Sequence, residues 1–184
     1  MIIVASSQAE NTDVKLKIVV LGDSLVAGYQ LQQGEGYPDK LQAALDAKGI
    51  NDVEIIGAGV SGDTTSGGLA RLDWSVPEDT SAVLLQLGAN DSLRGLPPES
   101  SRKNLIAMIE RLQERGIKVA LFGMLAPPNM GEDYAKAFNP IYAELATKYE
   151  VPLYPFFLDG VLTNPEFLLE DAIHPNPRGV EIMV

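Results

Sequence analysis

The chain has 184 residues, 46% of them hydrophobic, with 25 acidic against 14 basic side chains and a formal charge of −11. That length suits one domain with a sizeable core, and the acidic balance disfavours nucleic acid and anionic membrane surfaces, whose recognition needs clustered Lys and Arg. The absence of cysteine and the single histidine exclude disulfides, thiol catalysis and metal sites built on thiolates or several imidazoles, so the sequence calls for no metal and no cofactor.

Residues 1–13 stand apart from the rest of the chain. Ile2-Ile3-Val4-Ala5 with Ser7-Gln8-Ala9 resembles the tail of a signal peptide with a small-x-small cleavage pattern, and the competing reading is a disordered N-terminal segment. The first reading implies a periplasmic or secreted protein, the second leaves it cytoplasmic. No apolar run approaches the ~20 residues that span a bilayer. Residues 14–184 read as one domain, with no repeat or linker to divide them.

Leu16 to Leu21 is a nearly continuous apolar run ending at a glycine, as expected of a strand buried on both faces. Tyr37, Leu41, Ala44 and Leu45 mark a helical stripe opened by Pro38 and closed by Gly49. Val53–Ile56 is the second expected strand, and Thr64–Trp74 a helix after a glycine-rich turn, with Trp74 packed. Ala82–Leu87 and Ile117–Met124 are the third and fourth strands, with Leu105, Ile109 and Leu112 at helical spacing between them. The stripe Tyr134, Phe138, Ile141, Leu145, Tyr149 predicts one amphipathic helix, and Val151–Tyr154 a short fifth strand interrupted by prolines. This alternation predicts an α/β fold with a parallel five-stranded sheet covered on both faces. Right-handed crossovers bring the strands' C-terminal ends to one edge, where ligands of such sheets bind.

Three glycine-bearing turns converge on that edge: Gly22-Asp23-Ser24 after the first strand, Gly57 to Thr64 after the second, and Gly88-Ala89-Asn90-Asp91 after the third. Each alone is also ordinary turn and helix-cap chemistry. Near the C-terminus, Asp171-Ala172-Ile173-His174-Pro175 carries the one histidine. A serine hydroxyl becomes nucleophilic when an imidazole takes its proton, and a carboxylate orients that imidazole and stabilises its cation. Ser24, His174 and Asp171 are therefore the candidate catalytic residues. Acyl transfer also needs fixed N–H donors for the developing oxyanion; the amides of Ser24 and Gly62 and the side chain of Asn90 can supply them. Leu93, Leu96, Leu125, Pro127 and Asn129, after strands three and four, are the candidate substrate-binding residues. Their mostly apolar character favours an acyl chain or aromatic ring, although the same residues would also serve as core. Arg71 and Arg94 are expected to pair with nearby carboxylates.

Gly22-Asp23-Ser24-Leu25, Gly62-Asp63-Thr64, Gly88-Ala89-Asn90-Asp91 and Asp171-Ala172-Ile173-His174-Pro175 resemble, in order, the four blocks of the SGNH (GDSL) hydrolases. Gly67 to Leu72 and Asp91 to Gly95 resemble the bacterial thioesterase/lysophospholipase/arylesterase subgroup in particular. The resemblance implies a three-layer α/β/α flavodoxin-like fold, Ser24 as nucleophile with Asp171 and His174, and Ser24, Gly62 and Asn90 as the oxyanion hole. Ala89 stands where the subgroup commonly has a second glycine. The chain stops ten residues after His174, where the family usually extends a helix, so that helix is expected to be truncated. Val26 in place of a glycine removes the G-x-S-x-G elbow of α/β-hydrolases.

These observations favour a serine esterase that forms an acyl-enzyme on aryl or short- to medium-chain acyl esters, extending to thioesters and lysophospholipids. Its partner is then a small-molecule ester or thioester. The alternatives are a carbohydrate acetylesterase of the same family and a non-enzymatic flavodoxin-like binding domain. The latter would want a Ser/Thr-rich phosphate loop where this chain has Asp23 followed by Leu25-Val26.

Overall fold

The computed structural model describes residues 15–184, so the reading of residues 1–13 lies outside the described residues. The strands are β1 (Leu16–Gly22), β2 (Val53–Gly59), β3 (Ala82–Gln86), β4 (Lys118–Phe122) and β5 (Leu153–Tyr154). They form one all-parallel sheet in the order β2-β1-β3-β4-β5. β1 and β3 lie inside it, which is why their runs are apolar without alternation: Val19, Val20, Leu21, Val83 and Leu85 are fully buried.

From β1 the chain steps to one side to make β2, then returns past β1 to build β3, β4 and β5 on the other. Reversing direction sends the crossovers to opposite faces. Accordingly α2 (Tyr37–Ala47) packs with α9 (Pro177–Met183), while α3 (Thr65–Ala70), α6 (Pro98–Glu114) and α8 (Ile141–Tyr149) pack together. The result is the expected three-layer, flavodoxin-like α/β/α arrangement. The reversal leaves a crevice beyond the ends of β1 and β3, the position at which open sheets of this kind take ligands. Leu105, Ile109 and Leu112 of α6 are fully buried, as their spacing predicts. Tyr142 of α8, 2% exposed, satisfies its hydroxyl by donating to the Leu87 carbonyl at 2.6 Å.

Three expectations need correction. The stripe from Tyr134 to Tyr149 is two helices, α7 (Glu132–Phe138) and α8, parted at Asn139-Pro140, because proline lacks the N–H that the ladder requires. Thr64–Trp74 likewise divides at Arg71 into α3 and α4 (Leu72–Ser75). Trp74 is 87% exposed, so it is not a packing residue. Among the described residues no helix is long and apolar enough to cross a membrane.

One close approach sets the position of the first strand–helix turn. α1 (Ser24–Ala27) lies so tightly on the end of β2 that a Cβ on Gly59 would fall 2.2 Å from the Ala27 nitrogen and 2.6 Å from the Val26 carbonyl carbon. Both are backbone atoms and cannot swing aside. Gly59→Ala should therefore lower stability by about 1–3 kcal/mol, the range for overpacking, read from the urea midpoint at unchanged m-value. An unaltered midpoint would show that α1 shifts freely on β2.

Candidate active site

β1 ends at Gly22, and Asp23 then caps α1, its Oδ1 accepting the Leu25 amide at 3.0 Å. This cap sets Ser24 at the first position of the helix, above the end of the central strand. α1 closes after one turn at Gly28, whose φ of 69° is left-handed.

His174 arrives from the other end of the chain on a loop that folds on itself. Leu168 and Pro175 form an antiparallel bridge, and the Leu169 amide donates to the His174 carbonyl at 2.8 Å. Inside the loop, Asp171 Oδ1 accepts the amides of Ile173 at 2.9 Å and His174 at 3.0 Å. Its Oδ2 lies 2.6 Å from His174 Nδ1, and His174 Nε2 lies 2.8 Å from Ser24 Oγ. A carboxylate only accepts, so Nδ1 carries the ring proton and Nε2 is left to accept from the serine hydroxyl. Burial pushes the Asp171 carboxyl up, but the two backbone amides and then the His174 ring outweigh it and hold it below the usual carboxylate range.

The three expected oxyanion donors border the same cavity as Ser24 and His174. Gly62 adopts φ +83°, a left-handed conformation natural to glycine, and its carbonyl accepts Arg94 Nη2 at 2.7 Å. Arg94, expected to pair with a carboxylate, instead steadies this peptide. Asn90, in α5 (Ala89–Leu93), donates Nδ2 to the Asp63 carbonyl at 2.9 Å, with Asp23 Oδ2 at 3.5 Å. Arg71 binds Asp63 Oδ2 through Nε at 2.6 Å, and its other nitrogens reach the Gly22 carbonyl at 2.9 Å and the Ala58 carbonyl at 3.0 Å. One guanidinium thus fastens the ends of β1 and β2 to the turn that carries Gly62.

The cavity holds about 600 Å³. Leu93, Leu125 and Pro127 line it as expected. Leu96 is not among the lining residues, and its carbonyl accepts the Tyr134 hydroxyl at 2.7 Å; Asn129 sits exposed on the short 3-10 turn Pro128–Met130, outside the lining. Sequence reasoning missed Tyr29, Phe156, Leu162 and Ile173, all of which contribute to the wall. It also missed Gln86, which is fully buried beneath the site. Gln86 Oε1 accepts the Asp23 amide at 3.2 Å and its Nε2 donates to Asp23 Oδ2 at 3.3 Å. Its signal was a lone polar residue within the apolar run Ala82–Leu87.

The matched blocks now have a geometry, and the profile of the GDSL-like lipase/acylhydrolase family covers residues 20–182. The chain belongs to this family. It is 44% identical over 175 residues to an arylesterase of Vibrio mimicus, covering 95% of this chain and 84% of that protein. It is 36% identical over 160 residues to the thioesterase 1/protease 1/lysophospholipase L1 of Escherichia coli (strain K12), covering 86% and 75%. The crystal structure of AlinE4, an SGNH-hydrolase family esterase, superposes with a TM-score of 0.82 at 47% identity, covering 92% of this chain and 91% of that one. In this GDSL-like chain the aspartate of the first block is itself buried, and burial raises its carboxyl from 3.8 to about 6 against the opposing bonds from Leu25 and Gln86.

That shift gives stability a definite sign. Between pH 3.8 and about 6 the native state holds a proton on Asp23 that the unfolded chain has released, so the Asp23 contribution falls as pH rises through that window. Its size is on the order of 2–3 kcal/mol. Urea unfolding of wild type and Asp23→Asn at pH 4 and pH 7 should show a difference between the two that changes by this amount. A difference constant with pH would mean that Asp23 is ionised throughout.

Proposed function

We propose that this GDSL-family chain hydrolyses carboxylic esters through an acyl-enzyme formed on Ser24. The observation that carries the reading is the unbroken chain from Asp171 Oδ2 through His174 to Ser24 Oγ, at 2.6 and 2.8 Å, opening onto an apolar cavity. His174 Nε2 takes the proton of Ser24 as Oγ attacks the ester carbonyl, and Asp171 stabilises the imidazolium that results. The amides of Ser24 and Gly62 and the side chain of Asn90 receive the oxyanion. As the tetrahedral intermediate collapses, His174 returns the proton to the departing alkoxide, phenoxide or thiolate. Water then attacks the acyl-serine with His174 again as base, releasing a carboxylic acid and restoring Ser24.

The cavity wall supports a substrate with an acyl chain or aromatic ring. Leu93, Leu125, Phe156, Leu162 and Ile173 make the wall predominantly apolar beside Tyr29, Ser61 and Ser92, which favours an acyl chain over the sugar of the carbohydrate acetylesterase alternative. The names of the Vibrio and Escherichia relatives support aryl esters, thioesters and lysophospholipids as substrate types.

Hydrolysis of p-nitrophenyl esters from acetate to palmitate should proceed with medium-length chains accepted, and Ser24→Ala should lose at least about 10⁴-fold in kcat. Turnover retained in Ser24→Ala would overturn the acyl-enzyme, and an acetate-only profile would restore the deacetylase reading. Asn90→Ala should lower kcat by ~10²–10³-fold with KM nearly unchanged, as for loss of one oxyanion donor. An effect confined to KM would remove Asn90 from that role.

A further inference from the structure

We infer that Tyr29 is a positioning residue for His174, holding the plane of the imidazole and favouring its cationic form during turnover. This rests on the ester-hydrolase reading of the same site. Tyr29 follows α1 closely, its amide donating to the Ser24 carbonyl at 3.2 Å, so the residue that carries the aromatic ring is tied directly to Ser24. The ring centroid lies 4.6 Å from that of His174 with the planes tilted by 39°.

Two hydrogen bonds hold His174, at Nδ1 and Nε2, and both lie at the ring's edge. Such a pair leaves the imidazole free to rock about the line joining the two nitrogens. Contact with an aromatic neighbour opposes that rocking. When the serine proton arrives, the imidazole becomes a cation within the ~6 Å over which an aromatic face attracts one. The attraction strengthens as charge develops, so it acts on the transition state more than on the bound substrate.

The tyrosine is itself aimed. Gln30, the next residue, holds φ +58°, a left-handed conformation uncommon for a residue with a side chain. The backbone turns sharply just past the ring, which keeps Tyr29 over the site. Because Tyr29 is 39% exposed, replacing it opens no hole in the core, and the variants should fold.

The test compares Tyr29→Leu and Tyr29→Phe with wild type on p-nitrophenyl acetate and octanoate. Tyr29→Leu should lower kcat roughly 3- to 10-fold, by the same factor for both esters, with KM within about twofold; Tyr29→Phe should restore kcat. A loss that appears only in KM, or that grows with acyl length, would mean that Tyr29 serves the substrate as cavity wall and not the imidazole, and would overturn the inference. The contact has its own readout, because His174 is the sole histidine and its carbon-bound proton resonances are unambiguous in the NMR spectrum. Their ring-current displacement should persist in Tyr29→Phe and vanish in Tyr29→Leu. Identical resonances in wild type and Tyr29→Leu would overturn the contact whether or not the protein turns over. Wild type inactive on every ester would instead overturn the hydrolase reading, and the inference with it.

Discussion

The site is organised around a carboxylate that burial disfavours. Asp23 is fully buried, and an ionised group in such a place is tolerated only when its oxygens and neighbours are bonded. Its Oδ1 caps α1 through Leu25, Oδ2 takes the Gln86 amide, and its own N–H returns a bond to Gln86. Asp23 and Gln86 belong to neighbouring strand ends, so this exchange locks the end of β1 to the end of β3 directly beneath Ser24. Arg71 does the same from the other side, joining the carbonyls of Gly22 and Ala58 to Asp63. The positions of Ser24, Gly62 and Asn90 all follow from these two braces and from the backbone contact at Gly59.

The half of the site that carries the proposed base, His174, is built differently. Asp171 and His174 are held mainly by bonds within their own loop: two amides on Oδ1, a turn through Ala172 at φ +57°, and the short bridge at Leu168 and Pro175. Asp171 is exposed where Asp23 is buried. Local bonds define the loop's shape well but fix its placement on the sheet weakly. That placement comes from its flanks, where Leu168, Val180 and Met183 enter the core and α9 packs on α2, and from the contacts of the imidazole with Ser24 Oγ and Tyr29. Placing Ser24 and placing His174 are thus separate structural problems with separate solutions.

The same division explains what the sequence disclosed. Buried parallel strands must be continuously apolar, so β1, β3 and β4 were legible, and glycine-bearing turns marked their functional ends. The imidazole was legible because there is only one. Side-chain periodicity was less informative where a helix breaks: Tyr134 to Tyr149 keeps its stripe across Pro140, since α7 and α8 cover the same face in turn. Trp74 is apolar yet lies on the solvent side of a four-residue helix whose Leu72 is fully buried, and no pattern so short defines a face. Leu96 and Asn129 are close in sequence to lining residues. In a tight loop, however, adjacent side chains point in different directions, so Leu93 and Pro127 face the cavity and these two do not. Tyr29 and Gln86 act through residues distant in the chain, and only the fold brings those contacts together.

Asn90 shows how such bracing serves chemistry on the proposed mechanism. Its Nδ2 has two hydrogens. One is committed to the Asp63 carbonyl at 2.9 Å, which fixes the plane of the amide. At 3.5 Å from Asp23 Oδ2 the other contact is at the outer limit of a hydrogen bond and correspondingly weak. The amide is therefore aimed by one strong bond while its donor capacity is incompletely spent. A neutral ester carbonyl competes poorly for the remaining capacity, whereas an oxyanion in an apolar cavity is a far better acceptor. The gain arises mainly as charge forms on the substrate, which is the condition under which binding energy lowers a barrier instead of deepening a complex. The buried carboxylate that makes Asp23 unfavourable in isolation thus helps hold a donor whose full strength is reserved for the transition state.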